Sequence, residues 1–129
     1  MMYLVALYNK TNETIHFFNS ENIGDNKTLP PKSMFTTKVH FAIPDNSDPS
    51  EHFEGHHMEL QHENTPIFSF WANDRAGHVM YYCKGRNGKE KNAIPGFNPG
   101  GNKIDVALVL TNDSHGNYEL TSCAVQALV

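Results

Sequence analysis

Apolar and polar residues alternate along most of this chain, with aromatic and β-branched side chains filling many of the apolar positions. The pattern recurs in short runs at 3–8, 14–19, 34–43, 56–63, 67–72, 78–83, 104–111 and 118–127. A period of two places successive side chains on opposite faces, so each run predicts a β-strand with one face toward a core. The intervening segments carry turn chemistry: Asn9-Lys-Thr-Asn, Pro30-Pro31, Pro44-Asp-Asn-Ser-Asp-Pro49, Asn73-Asp-Arg-Ala-Gly77, Gly85-Arg-Asn-Gly88, 95–101 and Asn112-Asp-Ser-His-Gly116. Glycine, proline and Asx residues reverse a chain by supplying positive φ, fixed φ or a local side-chain hydrogen bond. No window of a dozen residues keeps three-four apolar spacing free of glycine or proline, and a single turn at 50–55 is the best helix candidate. The expectation is an all-β fold: a single-domain antiparallel β-sandwich over residues 1–129, Greek-key or jelly-roll-like, with about eight strands. A small β-barrel is the alternative. No internal repeat at a fixed period suggests a trefoil or propeller.

Length and composition fit that expectation. A chain of 129 residues matches the common size of one domain, and eight Phe, five Tyr and one Trp supply large groups to bury. No apolar run reaches the 18 or so residues needed to cross a bilayer as a helix, and the opening residues lack the layout of a signal peptide. A cytoplasmic protein is therefore the default expectation, with secretion as the alternative. Cys83 and Cys123 both lie in apolar alternating runs, where a buried free thiol is expected ahead of a disulfide. Asn9-Lys-Thr11, Asn12-Glu-Thr14, Asn26-Lys-Thr28 and Asn112-Asp-Ser114 match the N-glycosylation acceptor pattern, and Asn-rich turns account for them equally well.

Charge changes the picture most. Between Lys38 and Arg75 there is no Lys or Arg. The gap holds Asp45, Asp48, Glu51, Glu54, Glu59, Glu63 and Asp74, with His40, His52, His56, His57 and His62 among them. Beyond it, Arg75, Lys84, Arg86, Lys89, Lys91 and Lys103 meet only Glu90. Asymmetry of this kind speaks to partners rather than to fold.

Three candidate sites follow. In the run at 56–63, Met58 and Leu60 mark the inward face. His57, Glu59, Gln61 and Glu63 then point to solvent or into a groove, and His56 and His62 end the buried row. Imidazole and carboxylate together ligate divalent metals when three or four converge, so His57 and Glu59, with His40, His52 or His78 as a third ligand, form the metal candidate. The Gly55-His56-His57 and Glu59 spacing departs from the His-x-His and Glu pattern of cupin barrels, and a cupin-like metal-binding protein is carried only as an alternative. Asp45-Asn-Ser-Asp48 has oxygen density for calcium without the glycine and glutamate spacing of an EF-hand loop.

The second candidate is the basic, glycine-rich stretch at 84–103. There Lys84, Arg86, Lys89 and Lys91 suit anionic groups, and Phe97 suits stacking on a sugar or entry into a headgroup layer. The third is Trp71, which shares a strand face with Ser69, next to Asn73, Asp74 and Arg75. An aromatic face with Asx and Arg donors and acceptors is the chemistry that sugars require, although a lone Trp in a sandwich is more often core.

Catalysis and nucleic-acid binding receive little support. There is no Gly-x-Ser-x-Gly elbow, no His-Glu-x-x-His, no Cys-x-x-Cys and no P-loop. The net charge of −4 and the lack of aromatics among the basic residues argue against nucleic acid. The strand rhythm is similar to that of small sandwich lectins and of compact aegerolysin- or actinoporin-type membrane-binding proteins, and no residue is carried over from either. The expectation is a non-enzymatic, lectin-like binding module recognising a glycan through loops at one end of the sandwich. Its ligand-binding residues are expected among Trp71, Asn73, Asp74, Arg75, Lys84, Arg86 and Phe97, with no required cofactor. An anionic membrane headgroup is the alternative partner, and exposed edge strands leave pairing into a homo-oligomer open.

Overall fold

The structure is a computed structural model that describes residues 2–44, 57–73, 78–83, 92–93 and 104–123. Among these are ten strands and one 3-10 turn, Ile23–Asp25, with no α-helix. In chain order the strands are β1 (Met2–Asn9), β2 (Ile15–Asn19), β3 (Lys27–Leu29), β4 (Met34–Ala42), β5 (Met58–His62), β6 (Thr65–Asn73), β7 (His78–Cys83), β8 (Asn92–Ala93), β9 (Ile104–Asn112) and β10 (Tyr118–Cys123). No helix among the described residues is long and apolar enough to cross a membrane. The helix candidate at 50–55 lies outside the described residues.

The strands form two sheets, one ordered β10-β9-β1-β4 and the other β3-β2-β5-β6-β7-β8. They pack face to face as a sandwich rather than closing into a barrel, and one buried cluster joins Leu4, Leu7, Val106, Leu108, Leu110 and Leu120 of the first sheet to Phe17, Met58, Leu60, Phe68, Phe70 and Val79 of the second. The expected alternation is what creates that cluster, since Ile15 and Phe17, Met58 and Leu60, and Phe68 and Phe70 each sit two apart on one face. Phe17 is its aromatic centre. Its ring centroid lies 5.4 Å from Phe35, 6.4 Å from Phe41 and 6.5 Å from Phe70, separations at which offset or tilted rings attract.

Three features depart from the simple pattern. First, seven of the eight strand pairings among the described residues are antiparallel, but β1 pairs parallel with β9, from Met2 opposite Ile104 to Asn9 opposite Leu110. The two strands are remote in sequence, so no hairpin forces their direction. Second, the central strands are buried on both faces: 4–7 in β1, 67–72 in β6 and 106–110 in β9, so alternation there separates two covered faces instead of core from solvent. Third, β5 ends at His62, and Glu63 belongs to a two-residue hairpin turn with Asn64, both at positive φ (49° and 65°). Such a turn matches the right-handed twist of the flanking strands, but it places a glutamate in a backbone region that side chains resist.

Replacing this turn by its preferred residues, Glu63→Asn with Asn64→Gly, is therefore expected to raise unfolding stability by about 1 kcal/mol. Urea denaturation measures it; a loss of stability would contradict the turn assignment.

Candidate functional site

Strand directions decide which loops meet. β1 and β9 run together toward Asn9 and Asn112, β4 begins at Met34 opposite Tyr8, and β10 begins at Tyr118 opposite Asn112. In the other sheet β2 begins at Ile15 opposite Leu29, the last residue of β3, and β5 turns into β6 at His62 and Thr65. The connections at 10–14, 30–33, 63–64 and 113–117 consequently share one end of the sandwich.

A buried polar network fixes two of these segments, 10–14 and 30–33, to each other and to the end of β9. Asn9 is 1% exposed and Thr11 is fully buried. The Asn9 side-chain amide donates to the carbonyls of Glu13 (2.8 Å), Leu29 (3.2 Å) and Pro30 (3.2 Å). Its oxygen accepts from the Thr11 backbone N–H (3.0 Å) and hydroxyl (2.6 Å), and the Thr11 hydroxyl oxygen accepts from the Glu13 N–H (3.1 Å). Backbone bonds extend the network, with Asn9 N–H donating to Ser33, Lys10 N–H to Leu110 and Lys32 N–H to Thr11. The Pro30 carbonyl also accepts from the Ser33 N–H and hydroxyl and the Glu13 carbonyl from the Thr11 hydroxyl, so the buried groups that depend most on the amide are the Leu29 carbonyl and the Thr11 N–H. Asn9-Lys-Thr11 is thus a structural motif whose amide is already committed to main-chain partners.

The 113–117 loop is built locally. The Asp113 carboxylate accepts from the N–H groups of His115 (2.8 Å) and Asn117 (2.9 Å), Asp113 N–H donates to the Asn117 carbonyl, and Gly116 takes a φ of 80° that glycine adopts freely.

Against this frame lies a cleft of about 580 Å³ lined by Tyr8, Lys10, Asn12, Lys32, Thr111, Asn112, Asp113 and Ser114. Residues from three connections and the ends of β1 and β9 therefore converge on one concavity. The Lys32 ammonium donates to the Lys10 carbonyl at 2.5 Å, and the Lys10 ammonium lies 5.6 Å from the centroid of the Tyr8 ring. A neighbouring hollow of about 260 Å³ shares Thr111, Asn112 and Asp113 and adds Asn117, Tyr118 and Glu119. Around the corner a hollow of about 220 Å³ is lined by His62, Glu63, Thr65, Pro66, Ile67 and Tyr118. There Glu13 accepts a hydrogen bond from the Tyr118 hydroxyl and lies 3.6 Å from His62 Nδ1. His62 Nδ1 also lies 3.2 Å from the Thr14 carbonyl, which only accepts, so this ring nitrogen carries the proton when they bond.

Of the residues singled out from sequence, those described fall elsewhere. Trp71 shares its face of β6 with Ser69, as alternation requires, but it is 3% exposed and Ser69 is fully buried, so the indole is an interior group rather than an open stacking platform. The Ser69 hydroxyl makes no hydrogen bond among the described residues. Asn73, half-buried, ends β6 opposite His78, at the other end of the sandwich from the cleft. Asp74, Arg75, Lys84, Arg86 and Phe97 lie outside the described residues, as do Lys89 and Lys91.

His57 and Glu59 do lie together, with Nε2 and Oε1 4.0 Å apart, but both side chains are only 15% exposed. They are shielded rather than solvent-facing. Gln61 donates to the second Glu59 oxygen at 2.6 Å, and the His57 backbone is pinned in both directions by Ser20. Among the described residues no three His, Cys, Asp or Glu side chains converge as metal ligands. His52 lies outside them, as do the side chains of His40 and His78.

Comparison with protein-family models, with curated proteins and with solved structures returns no match for this chain. The geometry of the loop end is what bears on function.

Removing the amide that holds this end, by Asn9→Ala, strips the Leu29 carbonyl of its side-chain donor and the Thr11 N–H of its acceptor, and is expected to cost about 2 kcal/mol. Equilibrium denaturation checks this; a loss under about 1 kcal/mol would mean that water replaces the amide without penalty.

Proposed function

We propose that the protein is a non-enzymatic binding module that holds a saccharide in the cleft at the loop end of the sandwich. The observation that carries this reading is the convergence, at the loop end of the sandwich, of the Tyr8 ring with the amides of Asn12 and Asn112 and the hydroxyls of Thr111 and Ser114. A sugar presents hydroxyls that both donate and accept, together with apolar C–H faces. Amide side chains offer a donor and an acceptor side by side, hydroxyls offer either, and an aromatic ring packs on the C–H face. The cleft volume falls within the range of about 300–1,000 Å³ common to small-ligand sites. Loops held by a buried network lose little freedom on binding, which favours affinity at a polar site where each hydrogen bond exchanges for one to water.

This reading keeps the lectin-like expectation and moves its site from the end of β6 to the opposite end, where the Asx-rich turns at 9–12 and 112–114 meet. A glycan array followed by titration calorimetry tests it. Tyr8→Ala and Asn112→Ala are each expected to weaken a bound glycan about tenfold, the cost of one packed ring or one hydrogen-bonding amide, with the strand circular dichroism unchanged. Undiminished binding by both variants would place the site elsewhere, and an array without hits would remove the reading altogether.

A further inference from the structure

The cleft carries a charge that a neutral sugar does not use. We propose that its ligand is an anionic saccharide, carrying a carboxylate or sulfate group that seats at the Lys10 and Lys32 ammonium groups. The inference rests on the saccharide reading above and adds the chemistry of the sugar.

Three observations support it. The first is a local reversal of sign. The chain has a net charge of −4, yet the cleft lining holds two lysines against the single carboxylate of Asp113, and that carboxylate already accepts from the His115 and Asn117 N–H groups. Backbone donors disperse its charge, leaving a concavity that attracts anions in a chain of net negative charge.

The second is that both ammonium groups are positioned. Lys32 Nζ is bonded to the Lys10 carbonyl, which occupies one of its three protons and leaves two to donate. Lys10 Nζ is placed over the Tyr8 ring, where the ring's electron-rich face attracts a cation. A free surface lysine samples many rotamers; these two have partners that hold their heads at the cleft.

The third is the backbone at Lys32. Its φ of 58° lies in the left-handed region, where glycine or asparagine is the usual occupant. The segment Pro30-Pro31-Lys32 thus retains a long cationic side chain at a position that costs conformational energy, and strained positions of this kind concentrate at ligand sites. Two like charges brought to one cleft also repel in the free protein, and an anion relieves that repulsion.

The left-handed φ supplies a clean test, because Lys32→Gly removes the ammonium at a position whose backbone suits glycine. The probes are an oligogalacturonate, the uncharged galacto-oligosaccharide of the same length, sodium sulfate alone, and phosphatidylserine vesicles, each titrated against the full chain. The expected result is about tenfold tighter binding of the oligogalacturonate than of the neutral oligosaccharide, an advantage that shrinks with added salt. Lys10→Gln and Lys32→Gly should each bring that ratio toward one, with Lys32→Arg restoring part of it.

Equal binding of acidic and neutral saccharides overturns the inference while leaving the saccharide reading intact. Binding of neither removes both. Sulfate alone binding as tightly as the acidic saccharide, or vesicle binding without saccharide binding, also overturns it, by identifying a bare anion site or a headgroup reader.

Discussion

A single buried amide organises the end of this sandwich where the loops meet. Asn9 sits at the last position of β1, and its side chain reaches the carbonyls of Glu13, Leu29 and Pro30 while accepting from Thr11. β1 belongs to one sheet, whereas Leu29 ends a strand of the other. The amide therefore ties the two sheets at one edge as well as the loops between them. An apolar residue there would leave the Leu29 carbonyl without its side-chain donor and the buried Thr11 N–H without its acceptor, and a charged one would be desolvated without a counter-ion. Asparagine, with donors and an acceptor on one short uncharged stem, satisfies both sides of the junction.

The far end of β2 repeats the solution in a different arrangement. Asn19, 4% exposed, donates to the Asp25 carboxylate at 2.9 Å and accepts from the Glu21 N–H, while its own N–H donates to Asn26. Asn22 joins through a second bond to Asp25 and one from Gly24. Between these polar anchors the interior is nearly all aromatic and aliphatic, centred on Phe17. Hydrophobic burial supplies the drive to stack the sheets, and the amide networks select how the chain turns at their edges.

Much of this was legible in the residues. Period-two alternation located β1, β2, β4, β6, β7, β9 and β10 closely because each spans five or more residues and carries aromatic or branched aliphatic side chains at alternate positions. It overlooked β3 and β8, since three residues and two residues show no period. It extended β5 through Glu63 because glutamate signals no turn; only its positive φ reveals the hairpin. The loop site was less legible. Asn9-Lys-Thr-Asn and Asn112-Asp-Ser-His-Gly116 were recognisable as turns, but their proximity depends on the parallel pairing of β1 with β9, a contact across the length of the chain that no local pattern encodes. Trp71 misled for a related reason. Alternation assigned it correctly to the face away from Phe68 and Phe70, but local pattern carries no information on whether a second face is covered. A glycosylation pattern at Asn9 likewise could not show that the amide is consumed within the fold.

The cleft inherits its properties from this junction. Lys10 and Asn12 flank the buried Thr11, and the Lys32 N–H is bonded to the Thr11 carbonyl, so the groups offered to a ligand are hung on the same bonds that close the sandwich. If those bonds are as persistent as their burial implies, the site is preorganised, and the most direct measurement is native-state hydrogen exchange of the Thr11 backbone N–H by NMR. The account predicts protection of Thr11 comparable with the amides of β9, opening only when the sheets separate. Exchange of Thr11 at the rate of an open loop, with β9 still protected, would contradict it.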